Sequence, residues 1–173
     1  TIVQFSFDWL GNAEFNWDYT RVWLVPTSFI PSAGSQINGS EPGMIQVGAN
    51  FDSQTTWQTY TNNSVDVSSF ANTTMRLVFE WRNDSSGGNN PPGAIDNVSL
   101  MIPPPASLPY SDDFSTNNFT FIGGTQTNKW RYGSAVGNPG SSIYVSNNNG
   151  ASNAYTHNST SVAHAYCDIP IPS

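Results

Sequence analysis

Basic side chains are scarce in this chain. Five Lys and Arg stand against twelve Asp and Glu in 173 residues, a net charge of −7. That balance excludes the cationic grip on phosphates that nucleic-acid binders need, and the basic face that settles on an anionic membrane. Cysteine occurs once, at Cys167, so the chain has no internal disulfide. The residue reads as a small buried apolar group, with an intermolecular bridge as the alternative. A domain of this size must then rely on its core, or on a metal. Helical periodicity is nearly missing: no three-turn stretch carries apolar residues at i, i+3, i+4 and i+7 without Gly, Pro or Asn interrupting it. No apolar run is long enough to span a membrane. Motifs for chemistry are also lacking. There is no Gly-x-Ser-x-Gly, phosphate loop or dinucleotide fingerprint, and His157 and His164 have no cysteine or histidine at zinc-finger spacing.

What is abundant is aromatic and neutral polar. Aromatics reach 13%, with six Trp, which excludes disorder, and the polar residues are chiefly Asn, Ser and Thr. Alternation of period two recurs. Phe5, Phe7 and Trp9 share one face of a strand starting at Ile2. From Tyr19 to Val25, Val22 and Leu24 face one way while Arg21, Trp23 and Val25 face the other. Met75, Leu77, Phe79 and Trp81 alternate with Arg76, Val78 and Glu80, which predicts a half-buried strand. Further strands are expected at Ile95–Ile102, Asn118–Ile122, Ser142–Ser146 and Ser161–Ile169. Trp57–Tyr60 and Val65–Ser68 read as two short extended pieces. Gly-, Pro- and Asn-rich turns separate them, at 31–43, 83–93, 137–140 and 147–153. Many short strands with such turns predict an all-β, antiparallel jelly-roll β-sandwich.

The proline-dense break Pro103-Pro104-Pro105-Ala106-Ser107-Leu108-Pro109 divides the chain. Residues 1–102 read as the closing portion of a β-domain and 110–173 as an opening portion, with 103–109 as an extended linker. The order Phe7-Asp8-Trp9, Arg21-Val22-Trp23-Leu24-Val25-Pro26, Phe79-Glu80-Trp81 and Ile95-Asp96-Asn97-Val98, then Tyr110-Ser111-Asp112-Asp113-Phe114 and Trp130-Arg131-Tyr132-Gly133, resembles the choice-of-anchor J and cleaved-adhesin domains, MAM-like jelly rolls, in permuted order. The resemblance implies one period of a tandem array, or a permuted single domain. It further implies a non-enzymatic adhesive repeat of a large secreted protein on a bacterial cell surface, exported by the type nine route of gliding bacteria. Its partners would be neighbouring repeats and surface glycans. Two alternatives stand beside that expectation, a carbohydrate-binding module and a glycoside hydrolase.

Two sets of residues are candidates for a site. The resemblance implies calcium at Asp96 and Asp113, since hard cations want six to eight oxygens and Asp offers a short rigid arm. The bland reading is that both cap turns through Asx hydrogen bonds. Glu14, Asn16 and Asp18 alternate, and on a strand would share a face. Retaining glycosidases hold two carboxyls ~5–5.5 Å apart, whereas a four-residue offset spans ~13 Å of ideal strand. The bland reading makes Glu14 and Asp18 loop acids pairing Arg21. Among the tryptophans, Trp17 sits in an Asn-rich turn and is expected to be exposed, where its ring would stack a sugar. Trp9 and Trp81 alternate with core positions and are expected to be buried.

Overall fold

The computed structural model describes residues 1–102 and 109–171. The proline run 103–105 lies outside the described residues. The described residues form eleven strands: β1 Ile2–Gly11, β2 Tyr19–Pro26, β3 Ile45–Gln46, β4 Gln54–Asp66, β5 Thr74–Asn83, β6 Ala94–Met101, β7 Pro109–Asp112, β8 Thr120–Ile122, β9 Lys129–Gly133, β10 Ser142–Ser146 and β11 Ser161–Pro170. They form two antiparallel sheets. The first has the order β4-β1-β6-β10-β9, with β7 also pairing β6, and the second has β3-β2-β5-β11-β8. The chain is an all-β sandwich.

Alternation explains the shared interior. Phe5, Phe7, Ile95, Val98, Ile143 and Val145 point from the first sheet toward Val22, Leu24, Leu77, Phe79 and Trp81 of the second. The Phe7 ring meets Phe79 edge-on at 5.8 Å, joining the two layers. Aromatic side chains bury the most area per residue and dominate such a core.

Both sheets draw strands from both sides of the proline run. β11 pairs β5 along its whole length, from Ser161 opposite Asn83 to Pro170 opposite Thr74. β10 pairs β6 at Ile95 and Ala94, and β7 continues that edge from Val98 to Met101. Residues 1–102 and 109–171 therefore close over one interior.

Two expectations are corrected. β5 is buried on both faces, not one: Arg76, Val78 and Glu80 are as hidden as the core side. Segment 27–44 lies over this outer face, and Trp23, Val25, Ile37 and Val78 form a second apolar cluster with Phe29, Met44 and Tyr166. Residues 57–60 and 65–68 do not form separate pieces either. β4 runs unbroken for 13 residues, and a single 3₁₀ turn, Ser68–Phe70, follows it. Its hydrophobic pattern is weak because only Val65 is buried, so its continuity comes from ladder hydrogen bonds to β1. β3, β7 and β9 are strands beyond those expected from the sequence.

Candidate functional site

The turn joining β1 to β2 carries three of the expected site residues, and it is not a strand. The Trp17 and Asp18 backbone N–H groups both donate to the Glu14 carbonyl, at 3.1 and 2.9 Å. Asn16 takes a left-handed φ of 65°, which Asn tolerates better than most residues. Its N–H donates to Asp52 Oδ2 at 2.9 Å. The reversal sends Glu14 and Asp18 inward and Phe15 and Trp17 outward.

Asp18 is buried. Its Oδ1 accepts the Asp84 N–H at 2.9 Å and its Oδ2 accepts the Tyr155 hydroxyl at 2.7 Å. Burial holds its carboxyl above the ordinary range, against the lowering effect of those two hydrogen bonds. The Tyr155 hydroxyl is pushed up as well, first by burial and then by Asp18 itself. The Tyr155 ring sits edge-on to Trp81 at 5.4 Å and beside His157 at 4.4 Å. Glu14 approaches the same tyrosine closely enough for its charge to act on the hydroxyl, and its Oε2 is buried without a hydrogen-bond partner. Loop 84–93 passes directly over these groups. A Cβ at Gly87 would stand 2.1 Å from Glu14 Oε2, and one at Gly88 2.4 Å from the Tyr155 oxygen, so only glycine permits the crossing. Glu14 and Asp18 are thus loop acids, as the bland reading has it, but neither pairs Arg21. That side chain reaches across the sheet to Glu80.

Phe15 and Trp17 face solvent, 67% and 54% exposed, while Trp23, Trp81 and Trp130 are all at or below 5%. Trp9 and Trp57 are half-buried. The Trp17 carbonyl accepts a hydrogen bond from Arg82, whose guanidinium lies 6.0 Å from the Trp17 ring and 5.6 Å from that of Tyr19. Beside Phe15 runs a shallow groove lined by Asn16, Gln46, Ala49, Asn50 and Asp52. Phe15, Asp52 and Arg82 escaped the sequence reading. The signal available was the pair Phe15 and Trp17 flanking Asn16 in a segment with no alternating partner.

The acids expected to bind calcium lie at the β6–β7 edge. Asp96 is fully buried, and its oxygens accept the Asn97 N–H at 2.7 Å and the Asn138 N–H at 2.8 Å. Burial raises its pKa, and the charges of Asp8 and Asp113 raise it further. Asp8 faces the same loops, accepting the side-chain amides of Asn97 and Asn138 at 2.8 and 2.9 Å. Asp113 is exposed, and its carboxyl is held below the ordinary range by hydrogen bonds from Ser115, chiefly the backbone N–H at 2.9 Å. It lines an open cleft with Asn97, Val98, Ser99, Ser111 and Asp112. The charge of Asp113 therefore reaches Asp96, yet Asp96 caps backbone inside the fold and Asp113 caps a turn at the surface. Among the described residues no three His, Cys, Asp or Glu side chains converge to hold a metal ion. Calcium seeks more oxygens than these two acids present together.

His164 is fully buried, with Nε2 3.2 Å from Glu80 Oε2. No protein-family model matches this chain, nor does any curated protein or solved structure.

Proposed function

We propose that the chain is an adhesive module of a secreted bacterial surface protein, a jelly-roll repeat in permuted order whose work is to extend a surface fibre and hold it to other surfaces. The observation that carries the reading is the nesting of strand pairs. A jelly roll is an antiparallel ribbon of eight strands wrapped into two sheets, so its first strand pairs its last, its second the seventh, and so on inward. Taken in the cyclic order β10, β11, β1, β2, β3, β4, β5, β6, the pairs here are β10 with β6, β11 with β5, β1 with β4 and β2 with β3. All four are antiparallel. The ends of the described chain also meet one corner: the Thr1 carbonyl accepts the Val67 N–H, and the Ile171 N–H donates to the Thr73 carbonyl. The two portions of one chain close on each other, which supports the permuted single domain over the period of an array. The acidic, lysine-poor surface suits an extracellular module displayed in many copies.

A hydrolase has less support. Both Asp18 oxygens are engaged beneath the surface, where a sugar has no access. The carbohydrate-binding alternative has a specific observation in its favour, the exposed ring pair at 15 and 17.

The test is attachment. Beads densely coated with the purified chain are settled on polysaccharide-coated glass and on bacterial lawns, then rinsed at rising shear. Multivalent display predicts retention at least ~100-fold above beads bearing an unrelated acidic β-sandwich. Retention no greater than that of the control beads on every surface overturns the adhesive reading.

A further inference from the structure

We infer that the Phe15–Trp17 turn and the groove beside it bind a neutral carbohydrate. The inference narrows the adhesive reading to one ligand class at one place.

Exposure of two large rings on one turn is the first observation. Phe15 and Trp17 lie two residues apart, both more than half exposed, in a chain that buries most of its other aromatics. Exposed aromatic area forgoes the free energy that burial would return, so an ordered pair at one turn marks a contact surface. The second observation is that the turn is held from several sides. Glu14 accepts two backbone N–H groups, Asp52 accepts the Asn16 N–H, and Asp18 anchors the far end under Tyr155. Arg82 ties down the Trp17 carbonyl and packs near its ring. The rings are therefore presented on a fixed frame, which lowers the ordering cost on binding.

The groove supplies the polar half. Asn16, Gln46 and Asn50 offer amides that both donate and accept, and Asp52 offers a carboxylate. Vicinal hydroxyls of a sugar need that mixture, while the C–H face of a pyranose needs a flat ring. The groove's floor is fixed too. Phe51 exchanges backbone hydrogen bonds with Thr20 at 2.9 and 3.1 Å, locking this segment to β2. Gly48, with φ of 78°, lies so close to Phe51 and Tyr60 that a Cβ would stand 2.8 Å from the Phe51 ring. Among the described residues no cationic side chain lines the groove, Arg82 lying instead at the Trp17 carbonyl and ring, and the chain carries a net charge of −7. Uronates and sulfated sugars are therefore disfavoured, and the chemistry selects uncharged pyranosides.

The experiment is affinity electrophoresis of the purified chain through gels containing neutral polysaccharides (mannan, xylan, β-glucan and galactan) or anionic ones (alginate and pectate). The expected result is retardation by at least one neutral polymer and by neither anionic one. Phe15→Ala and Trp17→Ala should each weaken binding about tenfold or more while leaving the melting temperature unchanged, as loss of a central aromatic anchor does. Asn50→Ala, at an exposed position of the groove, should weaken it as well. Retardation by anionic polymers alone, unchanged retardation of the Phe15→Ala/Trp17→Ala double variant, or no retardation by any neutral polymer overturns the inference. In that last case the bead assay still stands or falls by itself, because it reads attachment through any face.

Discussion

The outer faces of the two sheets treat buried charge in opposite ways. On the second sheet Glu80 is partnered on both oxygens beneath segment 27–44: Arg21 of β2 pairs one, and the Ile37 N–H and the His164 ring of β11 take the other. On the first sheet Asp96 has no cation beside it, only backbone N–H groups from its own strand and from the 137–140 turn, with Asp8 and Asp113 adding like charge. A covered face can hide an ion pair between neighbouring strands because the cover excludes water and adds a backbone donor of its own. An open face can hide a carboxylate only where loops fold their own donors onto it. The lesson is that burial of an acid here reports on the layer above the sheet.

Substitution at Glu80 should break the contrast most severely. Glu80→Ala leaves Arg21 and His164 facing each other without the acid between them, and is expected to cost about 3–5 kcal/mol, read by urea denaturation. A cost below 1 kcal/mol would mean that the cover, not the ion pair, holds this face. Asp96→Asn comes next. The amide would turn an N–H₂ toward one of two backbone donors, for a loss of about 1–3 kcal/mol at neutral pH. It should also change the pH profile. Asp96 has a folded pKa raised above its ordinary 3.8, so the folded state holds the proton longer than the unfolded chain does. Its stabilising contribution is complete below 3.8 and is lost as pH rises through the raised value. Asp113 works with the opposite sign: its lowered pKa gives stability above 3.8 that disappears as pH falls through the folded value. Melting temperatures between pH 3 and 7 should therefore fall less steeply with rising pH in Asp96→Asn than in the parent chain. Phe15→Ala should have the smallest effect on stability, within about 0.5 kcal/mol, because the ring is exposed. A larger loss would place that ring in the fold's support and take it out of the proposed sugar contact.

How far the chain could be read in advance differs by element. β1, β2, β5 and β11 announce themselves through alternation, and their inward faces are the ones the pattern marks. β4 does not, since twelve of its thirteen residues stay at least partly exposed and its polar run looks like turn sequence. Trp17 was found as an exposed ring because the turn around it has no alternation to bury it. Glu14 and Asp18 were found as a pair, but their direction was not, because a left-handed Asn16 reverses the chain between them. Tyr155, 137 residues away from Asp18, had no local signal at all. The same holds for Glu80, whose alternating position reads as solvent-facing until segment 27–44 is laid over it.

Local order along the chain was enough to establish an all-β protein, its main turns, its lone buried cysteine and its want of positive charge, since each follows from residues a few positions apart. Partnership was decided in three dimensions. Which strand lies beside which, which acids share a neighbour and which rings stay wet depend on contacts between residues tens of positions apart. Period-two alternation says that a side is covered, and leaves open by what.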